Sequence, residues 1–140
     1  LVLTAIVIDI ERIGDYTKNI VELAGVVTGS FDGLELDGEV AEIEKSMARM
    51  FDDIVPALEG PDVAKARGII GSHTIIASRV DDQVRALCAG EALSGRSSNA
   101  VTVALYLRYL KRVSAHLKNV ATSVVNPYYR IGFREKRAAS

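Results

Sequence analysis

Tryptophan is absent from this sequence of 140 residues, and aromatic residues make up only 6% of it. A core of that kind must be built from Ala, Leu, Val and Ile, which favours helices meeting along aliphatic seams. Proline is nearly absent as well, with three residues, so long helices can run with few interruptions. A single cysteine, Cys88, excludes an intramolecular disulfide and points to a reducing compartment. Its neighbours Leu87 and Ala89 mark it as a small buried hydrophobe rather than a reactive thiol. No long hydrophobic run occurs. Residues 1–8 are largely apolar, but Asp9, Glu11 and Arg12 end that run well short of the roughly 20 residues a membrane span needs. There is no Gly-rich phosphate loop followed by Lys-Ser/Thr, and no Ser/His/Asp or Cys/His constellation. His73 and His116 stand far apart and form no His-x-x-x-His or Glu-x-x-His pair, so each is expected to be structural or exposed rather than a ligand.

What the chain does have is a strong asymmetry of charge. The formal net charge is −1. Residues 1–96 nevertheless hold 9 Lys and Arg against 17 Asp and Glu, whereas residues 97–140 hold 8 basic residues and one acidic residue, Glu135. The two parts can attract each other, or the basic end can meet an acidic partner. The chain begins on Leu, within a helical pattern, and is therefore expected to be a piece of a longer polypeptide.

Apolar periodicity predicts four helices. The first covers residues 1–24, with Leu3, Ile6, Ile10, Ile13, Thr17, Ile20 and Ala24 alternating by three and four. Leu1, Val2, Val7 and Ile8 lie off that stripe, so the first turns are apolar nearly all round and self-association is expected. A Gly-rich loop over residues 25–38 leads to a second helix over 36–58, with Asp37 as its cap and Pro56 expected to kink or end it. Gly60-Pro61-Asp62 is a clear break. The third helix covers 62–92 and contains Gly68 and Gly71, whose expected use is close approach of a neighbouring helix, a break being the alternative. Ser97 or Ser98 caps a fourth helix over 100–125, and Pro127 interrupts it. The expected fold is all-α, an antiparallel bundle of about four helices.

Two of these helices are related. Residues 110–120 align without a gap on residues 10–20, one hundred positions earlier. Arg12/Arg112, Lys18/Lys118 and Asn19/Asn119 are identical, and Ile10/Leu110, Ile13/Val113 and Ile20/Val120 stay apolar and branched. Two acidic positions change: Glu11 becomes Lys111 and Asp15 becomes Ala115. The offset divides the chain into residues 1–27, the last helix of a preceding truncated repeat, and residues 28–140, a complete three-helix repeat. At about 100° per residue, Glu11 and Asp15 stack one turn apart on the side opposite the apolar stripe. A solvated acidic face is one reading of the pair. The other is a shallow site of oxygen ligands for a divalent cation, completed by carboxylates from a neighbouring helix.

Asp9-Ile10-Glu11-Arg12-Ile13-Gly14-Asp15-Tyr16, with Asn19 and Ile20, resembles the signature of the PhoU family of phosphate-uptake regulators. The resemblance implies tandem three-helix repeats of about one hundred residues, each with a Glu/Asp-x-x-x-Asp motif on its third helix; Glu11 and Asp15 match that motif. It further implies a cytoplasmic helical protein that binds divalent or trivalent metal on its surface. Its partner would be a phosphate transporter or a membrane sensor protein, regulated without catalysis. Some relatives resemble soluble tails of sodium-phosphate cotransporters, so contact with a membrane through a partner or as a transporter tail is also implied.

The second repeat departs from that pattern. Lys111 and Ala115 replace both acidic positions, with Arg108, Arg112 and Lys118 around them. Only the first motif is expected to bind metal. The basic group of Arg108, Lys111, Arg112 and Lys118 is expected to meet an acidic partner surface or anionic lipid heads, and nucleic acid is not expected as a partner. Two other classes of function remain alternatives: a metal-dependent helical-bundle enzyme using the same carboxylates, and a purely structural oligomerisation module. Arg12 and Arg112 are expected to bridge to carboxylates on neighbouring helices. Asp52-Asp53 and Asp81-Asp82 are expected on solvated faces.

Overall fold

The structure is a computed structural model, and it describes residues 1–26, 37–90 and 97–135. Among them the protein is all-helical, with α1 over Val2–Val26, α2 over Asp37–Glu59, α3 over Val63–Ala89 and α4 over Ser97–Val125. A short 3₁₀ turn, Tyr128–Arg130, follows. The loop expected over residues 25–38 falls mostly outside the described residues, as do the side chains of Asp37, Ser97 and Ser98 to which caps were assigned.

Local chemistry sets the ends of α3. The Asp62 carboxylate accepts from the Lys65 backbone N–H at 3.0 Å, capping one of the open donors of the first turn. Gly90 ends the helix at φ +76°, a left-handed conformation that costs glycine little. Pro56 does not end α2, which continues one further turn to Glu59. The ring lies on the exposed side, where water can serve the carbonyl it leaves without a donor.

Helix α4 is the hub. Each of α1, α2 and α3 packs on it, and α2 also packs on α3. Ion pairs, a hydrogen bond and a ring contact fix the directions. Glu39–Arg79 and Asp53–Lys65 run α2 antiparallel to α3. His73–Ser114 and Asp81–Lys111 run α3 antiparallel to α4. Asp9–His116 and Tyr16–Tyr109 run α1 antiparallel to α4. Val103, Leu107, Leu110, Val113, Leu117 and Val120 of α4 are buried with Ile43, Met47 and Met50 of α2 and Ile69, Ile76 and Val80 of α3.

Three expectations are corrected by this packing. Gly68 and Gly71 make no close approach; a Cβ on either would meet nothing within 4 Å, and α3 runs unbroken through both. Cys88 is exposed rather than buried. The seam of α1 is rotated from the expected stripe. Ile6, Asp9, Ile13, Tyr16, Ile20 and Leu23 are wholly or partly buried along it, with Ala5 and Asn19 partly buried beside them, whereas Leu3, Ile10, Thr17 and Ala24 are exposed. Steps of three and four connect both sets, and they share Ile6, Ile13 and Ile20. A polar Asp9 disguised the second.

Candidate functional site

Glu11 and Asp15 are both exposed on α1, on the side away from α4. Asp15 accepts from the Arg12 guanidinium at 3.3 Å, an ion pair within one helical turn. Arg12 thus bridges along its own helix rather than to a neighbouring one. Among the described residues no group of three or more His, Cys, Asp or Glu side chains comes together as a metal site. The carboxylate pair is therefore presented to solvent as two ligands and a neighbouring cation, which leaves most of a divalent ion's coordination to water or to another molecule.

The four basic residues of α4 are divided by their partners. Lys111 donates to both oxygens of Asp81 on α3, at 2.7 and 2.6 Å, and Arg108 lies 3.8 Å from the same carboxylate. The Lys111 hydrogen bond is the largest cause holding the Asp81 carboxyl below its ordinary value, although burial acts the other way. Asp81 is thus tied into the bundle, whereas Asp82 pairs with Arg85 along its own helix. Lys118 turns to the chain's end, donating to Asn119 Oδ1 at 2.8 Å and to the Gly132 carbonyl at 3.2 Å. Arg112 is exposed and makes no ion pair or hydrogen bond among the described residues.

The polar cluster that sequence reasoning missed lies between α1 and α4. Asp9 Oδ1 accepts from His116 Nδ1 at 2.7 Å and from Asn119 Nδ2 at 2.9 Å. Asp9 and His116 retain only 17% and 20% of their side-chain exposure. Tyr16 covers them, stacked on His116 at 5.8 Å between centroids and tilted against Tyr109 at 6.2 Å. Lys118 extends the network from Asn119 to Gly132, joining the α1 seam to the C-terminal segment. The spacing of Asp9 within the alternative stripe was the available signal.

His73 belongs to a second interior network. Ser114, fully buried, donates its hydroxyl proton to the Lys111 carbonyl at 2.8 Å. It can then only accept from His73 Nδ1, 2.9 Å away, which leaves Nε2 of a neutral ring without a proton. Burial is the main cause holding His73 below the ordinary histidine value, with the charges of Lys118 and Lys111 adding to it. On α4, burial pushes the Tyr106 phenol up, and its hydrogen bond to Glu44 adds to the shift.

No protein-family model matches the chain, and no curated protein or solved structure matches it either. Among the described residues no helix is long and apolar enough to cross a membrane.

Proposed function

We propose that the chain is a PhoU-like regulator of phosphate transport or signalling that acts by protein–protein contact, with Glu11 and Asp15 as a surface metal site. The observation that carries this reading is the exposure of the carboxylate pair on the open side of α1, while the seam side packs on α4. The resemblance around residues 9–20 asks for a motif displayed in that way on a repeat's last helix. Further support comes from α4, which carries the other copy of the repeated sequence at an offset of one hundred residues, although that copy departs from the pattern in lacking both acidic positions. A metal-loaded α1 would then offer its open coordination positions to an acidic group of a transporter or sensor protein, with Arg112 an additional contact.

Metal titration tests the reading. The purified chain is expected to bind a divalent or trivalent ion saturably, and Glu11→Ala/Asp15→Ala is expected to abolish that binding. Binding that persists in the double variant would sink the site.

A second reading, a structural oligomerisation module, is favoured by the exposed apolar residues Leu3, Val7, Ile8 and Ile10 on α1. Analytical ultracentrifugation of the metal-free chain separates the two. Self-association that ignores both metal and the double substitution supports the second reading.

A further inference from the structure

A groove of about 810 Å³ opens beside α3 and α4 where the C-terminal segment crosses them. Its volume falls in the range of small-molecule sites, roughly 300–1,000 Å³. Three cations line it: Arg67 from α3, Lys118 from α4 and Arg134 from the C-terminal segment. Ile70 and Phe133 add apolar wall, and Gly71 leaves space where a side chain would stand.

One carboxylate already sits among these cations. Arg67 donates to Glu135 from Nε at 3.1 Å and from Nη2 at 2.7 Å, a two-pronged grip of the kind guanidinium groups make on carboxylates and phosphates. Glu135 arrives there on a pinned segment. The Gly132 N–H donates to Thr122 Oγ1 at 2.6 Å, Lys118 donates to the Gly132 carbonyl at 3.2 Å, and Asn126 donates to the Phe133 carbonyl at 2.7 Å. These anchors hold residues 132 and 133, and Arg130 Nη2 donates to the Arg134 carbonyl at 2.9 Å, so the backbone is held up to Glu135. A rotation of the Glu135 side chain alone would vacate the Arg67 seat and leave these backbone bonds in place.

We propose that this groove binds a small molecule carrying a phosphate monoester, whose phosphate takes the Arg67 seat that Glu135 now fills. Three cations exceed what one carboxylate neutralises and suit a dianion. The remaining volume, bounded by Ile70 and Phe133, suits an apolar or aromatic body attached to the phosphate. Glu135 acts as an internal competitor. The site shares no residue with the Glu11–Asp15 motif, so it stands or falls separately from the metal reading.

The test is a calorimetric titration of the chain with phenyl phosphate, with phenol as the control. Saturable binding of phenyl phosphate without binding of phenol is expected. Glu135→Gln, which keeps the shape of the side chain and removes its charge, is expected to tighten binding about tenfold. Arg67→Gln is expected to weaken it at least about tenfold. Gly71→Leu should block the groove and abolish binding while keeping the helical circular dichroism, because Leu is a better helix former than Gly and a Cβ there meets nothing within 4 Å. A Glu135→Gln chain that does not saturate with phenyl phosphate would overturn the proposal. So would binding that Arg67→Gln and Gly71→Leu leave unchanged.

Discussion

Tyr16 stacks on His116, and the two occupy equivalent positions in sequences one hundred residues apart. Tyr109, the equivalent of Asp9, also touches Tyr16, while Asp9 itself binds His116. Each helix thus uses the same two positions to meet the other, in opposite directions. The two copies of the repeat pack across a local pseudo-twofold axis near the middle of the α1–α4 seam.

That seam depends on a polar group. Asp9→Ala would leave His116 Nδ1 and Asn119 Nδ2 without their acceptor, at an expected cost of about 1–3 kcal/mol. Urea denaturation checks the value. A double-mutant cycle of Asp9→Ala with Asn119→Ala is expected to show coupling above about 0.5 kcal/mol, because the pair is in direct contact.

The equivalent positions of the two repeats should respond unequally to truncation. Leu107 is fully buried, whereas its counterpart Val7 is 50% exposed. Leu107→Ala is expected to cost about 2–5 kcal/mol through lost burial and a residual cavity. Val7→Ala should stay within about 0.5 kcal/mol in the monomer. Thermal denaturation of both variants at low protein concentration tests the contrast.

Stability should fall in mild acid because of His73. Its folded value lies below that of the unfolded chain, so at lower pH the unfolded state binds more protons and stability rises with pH. The contribution is complete above the ordinary histidine value of about 6.5 and is lost as pH falls through the window below it. Asp81, also lowered, acts only in a more acidic window, below the ordinary carboxylate range. His73→Gln should therefore flatten the stability profile between about pH 7 and 5 and leave the steeper acid limb in place. Chemical denaturation across that range is the measurement.

Gly68 offers a gain. It is exposed within α3, and a methyl group there meets nothing within 4 Å. Gly68→Ala is expected to stabilise the chain by about 0.5–1 kcal/mol, by relieving the entropic cost of fixing glycine in a helix. A rise in melting temperature would bear this out; a fall would overturn it.

Helix number and order were legible because the breaks are chemically strong: Gly60-Pro61-Asp62 before α3 and Pro127 after α4. The end of α3 at Gly90 was not, since its helical pattern reads on to residue 92. The face of α1 was not, because two stripes of equal period share Ile6, Ile13 and Ile20, and only Asp9's distant partners decide between them. The outward placement of Glu11 and Asp15 was legible, since it follows from helical geometry alone. The fate of Lys111 and Lys118 was not. Their acceptors, Asp81 and the Gly132 carbonyl, are set by tertiary packing and by a turn at φ +88°. The Arg67–Glu135 pair spans 68 positions and has no periodic signature. Its one sequence trace was Glu135 standing alone among eight basic residues.

Placing the hub last has a consequence for biosynthesis. The contacts of Asp9 reach across 107 and 110 positions. At roughly 5–20 residues per second, α1 leaves the ribosome on the order of 5–20 s before its partner helix exists. Throughout that interval the α1 seam lacks the α4 residues that cover it. A nascent chain of this protein should therefore recruit chaperones early and release them only once α4 has emerged.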